Sequence, residues 1–211
     1  MIAVALLTAD RYAYTAATLG SFAAHNDLSR FQLLHADDAS TDARVPALAA
    51  DHGFRTVAQS TRRRGWLAMR LALFEAAAKQ ADWILFLEND IEWLRAFPWP
   101  LFDYVSRHAN IYCLRLYGEF KDRHGEDRCL AFHKQGSRVQ PVKWKPLKSA
   151  PEPCEVGLIH WGAQPSVTRV QPLLDLHRHG MESGELTARV TQNVTAHIGL
   201  ERTVPRQEAT C

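Results

Sequence analysis

The chain opens on an unbroken apolar run, Ile2–Leu7, closed by Thr8. Seven residues suit a buried strand and are too few to span a bilayer, which takes about 20. Tyr12–His25 then sets Leu19, Phe22 and Ala23 on one helical face. Phe31–Ala36 returns to a strand pattern. Asp42–His52 predicts a helix with Gly53 as its C-cap, because glycine accepts the left-handed conformation found there. Phe54–Ala58 predicts a third strand, Trp66–Gln80 an Ala/Leu-rich helix, and Trp83–Leu87 a fourth strand that is apolar throughout. Strands and helices in strict alternation predict an α/β fold, with a mostly parallel central sheet flanked by helices.

The second half is less regular. Asn110–Leu116 and Val156–Trp161 predict strands, Ser166–His177 a helix, Glu185–Thr195 a second helix or its remnant, and Arg202–Cys211 a frayed tail. Charge changes the picture between them. The whole chain of 211 residues has a net charge of only +2, but residues 121–148 hold eight Lys/Arg against three Asp/Glu. Such a stretch, followed by Pro151 and Pro153, predicts a long basic loop or irregular hairpin. With 46% hydrophobic residues the chain can bury a core without disulfides, and Cys113, Cys129, Cys154 and Cys211 match no metal-ligand spacing. No basic leader precedes the first apolar run, so the expected location is cytoplasmic.

Three of the predicted strands end on polar groups: Thr8-Ala9-Asp10-Arg11, Asp37-Asp38-Ala39-Ser40-Thr41-Asp42 and Glu88-Asn89-Asp90. Parallel strands deliver these ends to one edge, where open α/β sheets bind their ligands. Carboxylates gathered there repel one another unless a ligand or cation offsets them. Glu88 and Asp90 can share a hard divalent cation, or one can bind it while the other accepts a hydroxyl. A solvated turn is the plainer account of that triplet alone. Ser40 or Thr41 can N-cap the following helix, with Asp42 favouring its dipole, yet a cap has no need of the Asp37-Asp38 pair.

In this order the motifs resemble the inverting glycosyltransferases of family 2, which have the Rossmann-like GT-A fold in a single domain. Residues Asp37 to Asp42 are similar to that family's DDGSTD signature, and Thr8 to Arg11 stand where it has a TYNR-like turn. Arg64-Gly65 followed by Arg70 resembles its NRG…aRN segment. Glu88-Asn89-Asp90 takes the place of its DxD motif, and Glu182 to Arg189 resembles its EDxELxxR segment. Order and spacing agree over residues 1–95 and only at isolated points beyond. The resemblance implies one glycosyltransferase domain over residues 1–202, with a nucleotide-sugar half (1–95), an acceptor half (96–202) and a tail (203–211). It implies a nucleotide-sugar site lined by Thr8, Asp10, Arg11, Asp37, Asp38, Arg64, Arg70, Glu88, Asn89 and Arg202, with a UDP-sugar as the first expected donor. Asp90 would bind Mn²⁺ or Mg²⁺ at the diphosphate, and His197 would complete the metal site.

The implied chemistry is a single in-line displacement with inversion. Charge develops on the leaving diphosphate, where a cation and an arginine stabilise it, while a carboxylate takes the acceptor's proton. The family often uses the second acid of its ED pair as base. That position is Ser183 here, so Glu182 is the first candidate base and Glu185 the second. His160 and Trp161 are candidate acceptor contacts, since aromatic faces stack on sugars and bases alike. The basic stretch and Arg62-Arg63-Arg64 suit a phosphate-bearing acceptor: a lipid phosphate, a teichoic or sugar phosphate glycan, or modified DNA. Ser183 also keeps open a catalytically degenerate module that only binds nucleotide-sugar or glycan. A nucleotidyltransferase would carry a Gly-rich loop after the first strand, and a phosphotransferase an Asp-x-Asp there. Thr8-Ala9-Asp10-Arg11 is neither.

Overall fold

A computed structural model describes residues 1–61, 65–116, 133–135, 138–140, 145–159, 165–179, 185–190 and 194–197. The first half alternates β1 (Ile2–Thr8), α1 (Tyr12–His25), β2 (Phe31–Asp38), α2 (Arg44–Asp51), β3 (Arg55–Ser60), α3 (Trp66–Ala78) and β4 (Trp83–Glu88). The second half adds β5 (Ile91–Trp93), α4 (Trp99–Ser106), β6 (Cys113–Arg115), β7 (His133–Gln135), β8 (Arg138–Gln140), β9 (Lys145–Pro146), β10 (Cys154–Ile159), β11 (Ser166–Arg169), α5 (Val170–His179), β12 (Glu185–Val190) and β13 (Thr195–His197). Among the described residues the main sheet has nine strands, in the order β3-β2-β1-β4-β11-β6-β12-β10-β9. Its β3-β2-β1-β4 half is entirely parallel, as the alternation predicts. Beyond β4 it is mixed: β11 runs antiparallel to both its neighbours, whereas β12 is parallel to β6.

The period-2 alternation of strand side chains divides the core into two layers. On β1, Ile2, Val4 and Leu6 join Leu19 and Phe22 of α1 and Leu101, Phe102 and Val105 of α4. Ala3, Ala5 and Leu7 face the opposite layer, with Leu73, Phe74 and Ala77 of α3 and Leu173 and Leu174 of α5. β4 splits the same way, Leu85 and Leu87 to one side and Ile84 and Phe86 to the other. Because β1 and β4 are covered on both faces, they carry apolar residues at nearly every position.

β5 lies off the main sheet, and α1 takes up its backbone donors. Thr18 Oγ1 accepts from Ile91 N at 3.1 Å, Ser21 Oγ from Trp93 N at 3.0 Å, and Asn26 Oδ1 from Phe97 N at 2.8 Å. Thr18 and Ser21, three residues apart, share one side of the helix, and Asn26 follows as its extended C-cap. Below them Phe22 packs on Phe31 (centroids 5.5 Å apart) and Trp93 (4.9 Å). This stitching fixes the chain as it leaves the end of β4.

Two predicted helices are corrected. The helix predicted from Ser166 begins only at Val170. Ser166–Arg169 instead forms β11, inserted beside β4 with Ser166 opposite Phe86. Arg169, at its end, lies over Trp83 and donates to the carbonyls of Ser106, His108 and Ile111, which closes the C-terminal end of α4. Pro172 falls in the first turn of α5, where no intrahelical N–H is needed. The helix predicted over Glu185–Thr195 is also a strand at its start: β12 pairs with β10 and β6. Glu185-Leu186-Thr187-Ala188-Arg189-Val190 alternates polar and apolar, a period of two. Most of the basic stretch 121–148 lies outside the described residues.

Phe22 is fully buried between Phe31 and Trp93. Phe22→Ala should destabilise the fold by about 3–5 kcal/mol, read from the urea midpoint. A loss below about 1 kcal/mol would mean that this aromatic layer does not hold α1 to the sheet.

Candidate functional site

Registry brings the strand ends together. Thr8 pairs with Asp37 across β1 and β2, and Leu7 with Glu88 across β1 and β4. The motif residues therefore line the carboxyl edge of three adjacent strands.

Asp37 is buried and braces this edge from within. Thr8 Oγ1 donates to its Oδ1 at 2.7 Å, Ser40 Oγ donates to the same oxygen at 2.5 Å, and Ser40 N donates to Oδ2 at 2.9 Å. With the Thr8 proton committed to Asp37, Thr8 Oγ1 accepts from His35 Nε2 at 2.9 Å. The other ring nitrogen, Nδ1, then accepts from Thr56 Oγ1 at 2.9 Å. This assigns the Nε2–H tautomer from the donors available. His35 is held neutral, its pKa lowered to about 4, because burial outweighs the nearby Asp37 carboxylate. His35 and Thr56 carry no motif. Their signal is a lone histidine within an apolar strand and a hydroxyl opposite it on the next strand.

Asp10 fastens the adjoining loops. Its Oδ1 accepts from Thr41 N (2.6 Å), Thr41 Oγ1 (3.1 Å) and Asp42 N (3.4 Å), and its own N–H reaches Ser40 Oγ at 2.8 Å. Asn89 Nδ2 donates to Asp10 O at 3.2 Å and to Thr15 Oγ1 at 3.3 Å, tying in the end of β4. The Ser40 and Thr41 hydroxyls thus serve Asp37 and Asp10 and do not cap α2; Asp42 Oδ1 accepts from Arg44 N instead. Asp10, Arg11 and Ala39 all have φ between 52° and 57°. Left-handed backbone costs a residue with a Cβ about 1–2 kcal/mol, and the bracing offsets it.

Asp38 faces the other way along the edge. Its Oδ1 accepts from Gly65 N at 2.8 Å, immediately before α3. A Cβ at position 65 would lie 2.8 Å from Ser60 Oγ and 3.0 Å from Asp38 Oδ1, so only glycine leaves this contact undisturbed.

The β4 end carries the charged pairs of the site. Burial and the neighbouring Asp90 raise the Glu88 carboxyl to about 7, against the pull of Arg70 and Arg11. Arg70 Nη2 lies 3.7 Å from Glu88 Oε1, and Arg11 Nη1 lies 3.4 Å from Asp90 Oδ2 on the exposed side. Burial lowers Arg70 itself, and Glu88 pulls it back. β13 pairs with β5 so that residue His197 stands opposite Ile91, the residue after Asp90. Among the described residues, no three His, Cys, Asp or Glu side chains converge as a metal-binding group. Glu185 begins β12, opposite Ile159 of β10. Because β12 runs parallel to β4, this puts Glu185 at the amino edge of the sheet, away from Asp37 and Glu88, and removes it as a candidate base. Arg64, His160, Trp161, Glu182 and Arg202 lie outside the described residues. None of the described helices is long and apolar enough to cross a membrane.

A parallel β-α-β half with its polar groups at the carboxyl edge, continued by a mixed-strand half, defines the GT-A class of α/β folds. Residues 4–160 match the family described as Glycosyl transferase family 2, and the chain belongs to that family. Solved structures share the fold at low sequence identity. S. aureus TarS 1–349 superposes with a TM-score of 0.61 and 14% identity, covering 93% of this chain and 60% of its own. GalNAc-T7, solved with UDP, GalNAc and Mn²⁺, gives 0.63 at 13% identity over 94% of this chain and 44% of its own. The same TarS fragment in complex with UDP-GlcNAc gives 0.54 at 15% identity, over 82% of this chain and 46% of its own. The chain therefore spans about three fifths of the TarS fragment. No curated protein matches the sequence significantly.

Two outcomes follow from the bracing. The depressed His35 value means that its contribution to stability is present above the unfolded pKa of about 6.5 and is lost as pH falls through 4. Glu88, raised instead, contributes below about 4.5 and loses that contribution as pH rises through 7. The two oppose each other in melting curves, so the imidazole should be followed directly. Its NMR titration should show a midpoint near 4, and a midpoint near 6.5 would mean that the ring is solvated. Ala39→Gly should stabilise the protein by about 0.5–1 kcal/mol by relieving the left-handed alanine, and a net loss would place Ala39 in another conformation.

Proposed function

We propose that the protein transfers a sugar from a nucleotide-sugar donor, a UDP-sugar first among them, to an acceptor hydroxyl with inversion. The observation that carries this reading is the convergence of Thr8, Asp37 and Asp38 with Glu88 and Asp90 on one sheet edge, within a family 2 chain. UDP in the GalNAc-T7 structure and UDP-GlcNAc in that of TarS support the donor class.

Asp38, braced by Gly65 N, offers a carboxylate to an N–H or hydroxyl of the nucleoside. Glu88 meets a ribose or sugar hydroxyl, while Arg70 and Arg11 set positive charge beside the acids. The residues present fit a divalent cation. Asp90 is a hard oxygen donor beside Glu88, whose carboxyl is raised first by burial and then by the charge of Asp90, and a cation would offset the second of these. The backbone of β13 brings His197 next to that position, and the Mn²⁺ in the GalNAc-T7 structure is consistent with such an ion. When bound, the ion would neutralise the diphosphate and favour its departure. Glu182 takes the proton from the acceptor, and His160 and Trp161 contact the acceptor. The basic stretch 121–148 favours an acceptor that bears phosphate, whose binding weakens steeply with salt.

Asp90→Ala should retain the fold and lower Mn²⁺-dependent turnover of the donor by about two to three orders of magnitude. Wild-type turnover in this variant would remove Asp90 from the site.

A further inference from the structure

Trp66 opens α3 with 48% of its surface in solvent, although it is a large apolar ring. One turn on, at i+4, the Arg70 guanidinium carbon lies 4.7 Å from the Trp66 ring centroid. The same carbon is 4.9 Å from the centroid of Phe86 on β4. Arg70 is only 9% exposed, its Nε is buried, and its Nη2 stands 3.7 Å from Glu88 Oε1. At that separation the two groups attract by charge at a distance longer than a hydrogen bond. A long arginine also has many rotamers, several of which return its head to water. Phe86 belongs to the buried core, whereas Trp66, half in solvent, is the surface ring against the guanidinium. The face of a tryptophan attracts a desolvated cation more strongly than other rings do, which suits it to this task.

We propose that Trp66 is a positioning residue: it holds the Arg70 guanidinium beside Glu88 and so fixes the orientation of the carboxylate that meets the donor. The effect on turnover rests on the glycosyltransferase reading, whereas the packing of Arg70 does not. Position 66 is the first residue of an exposed helix end, so its replacement should leave the fold in place.

The test reads both levels. Hydrogen exchange at Arg70 Nε–H, followed by NMR, should speed up at least tenfold in Trp66→Ala and stay near wild type in Trp66→Phe. Mn²⁺-dependent hydrolysis of UDP-GlcNAc, used as the probe, should lose about tenfold in kcat in Trp66→Ala, with KM changed less than threefold. Trp66→Phe should restore most of that loss. In an Arg70→Lys background Trp66→Ala should add nothing, because the plane that it stacks on is gone. Unchanged Nε–H exchange in Trp66→Ala, or a kcat loss that adds to that of Arg70→Lys, would overturn the proposal. If wild-type protein hydrolyses no nucleotide-sugar, the functional reading fails and the exchange measurement alone decides whether Trp66 holds Arg70.

Discussion

The site depends on one buried carboxylate. Asp37 has no route to water and takes its hydrogen bonds from Thr8 and from both the backbone and the side chain of Ser40. A buried carboxylate missing a donor costs several kcal/mol, so the strand end and the loop cannot separate cheaply. Everything around them inherits that rigidity. Ala39 is held left-handed, Ser40 receives the Asp10 N–H, and Asp10 gathers Thr41 and Asp42. Asn89 then joins the β4 end to the same knot.

This arrangement divides the edge into two parts. One acid of the Asp37-Asp38 pair is spent on structure, and the other, Asp38, is held by a backbone N–H that only glycine can supply at that distance. Across β1, Glu88 and Asp90 stand beside the guanidinium groups of Arg70 and Arg11. In the proposed function, the braced part meets the nucleoside and the charged part meets the diphosphate and its cation.

Much of this was legible in the residues. The apolar run Ile2–Leu7, closed by Thr8, and the helical face of Tyr12–His25 match β1 and α1 end to end. The polar strand ends do share one edge. Gly53 takes a positive φ of 81° after α2, as a helix stop requires. What the residues concealed was long-range pairing. Ser166–Arg169 is a strand because β4 and β6 each offer it an open ladder, and local spacing carries no trace of that. In β12 the period-2 signal was present but short, and it competed with a helical reading. The part of Asp37 was hidden differently: an acidic pair looks alike whether both acids meet a ligand or one is buried to hold the other in place. His35 was invisible as a functional partner, because its role lies in contacts to Thr8 and Thr56 on neighbouring strands.

The account stands most directly on where a nucleotide sits. The decisive measurement is a crystal structure of the protein with UDP and Mn²⁺. The account predicts the uridine against Asp38 at the ends of β1 and β2, the ion on Asp90, and Asp37 still bound to Thr8 and Ser40 without touching the ligand. A nucleotide away from this edge, or Asp37 turned out to bind it, would contradict the account.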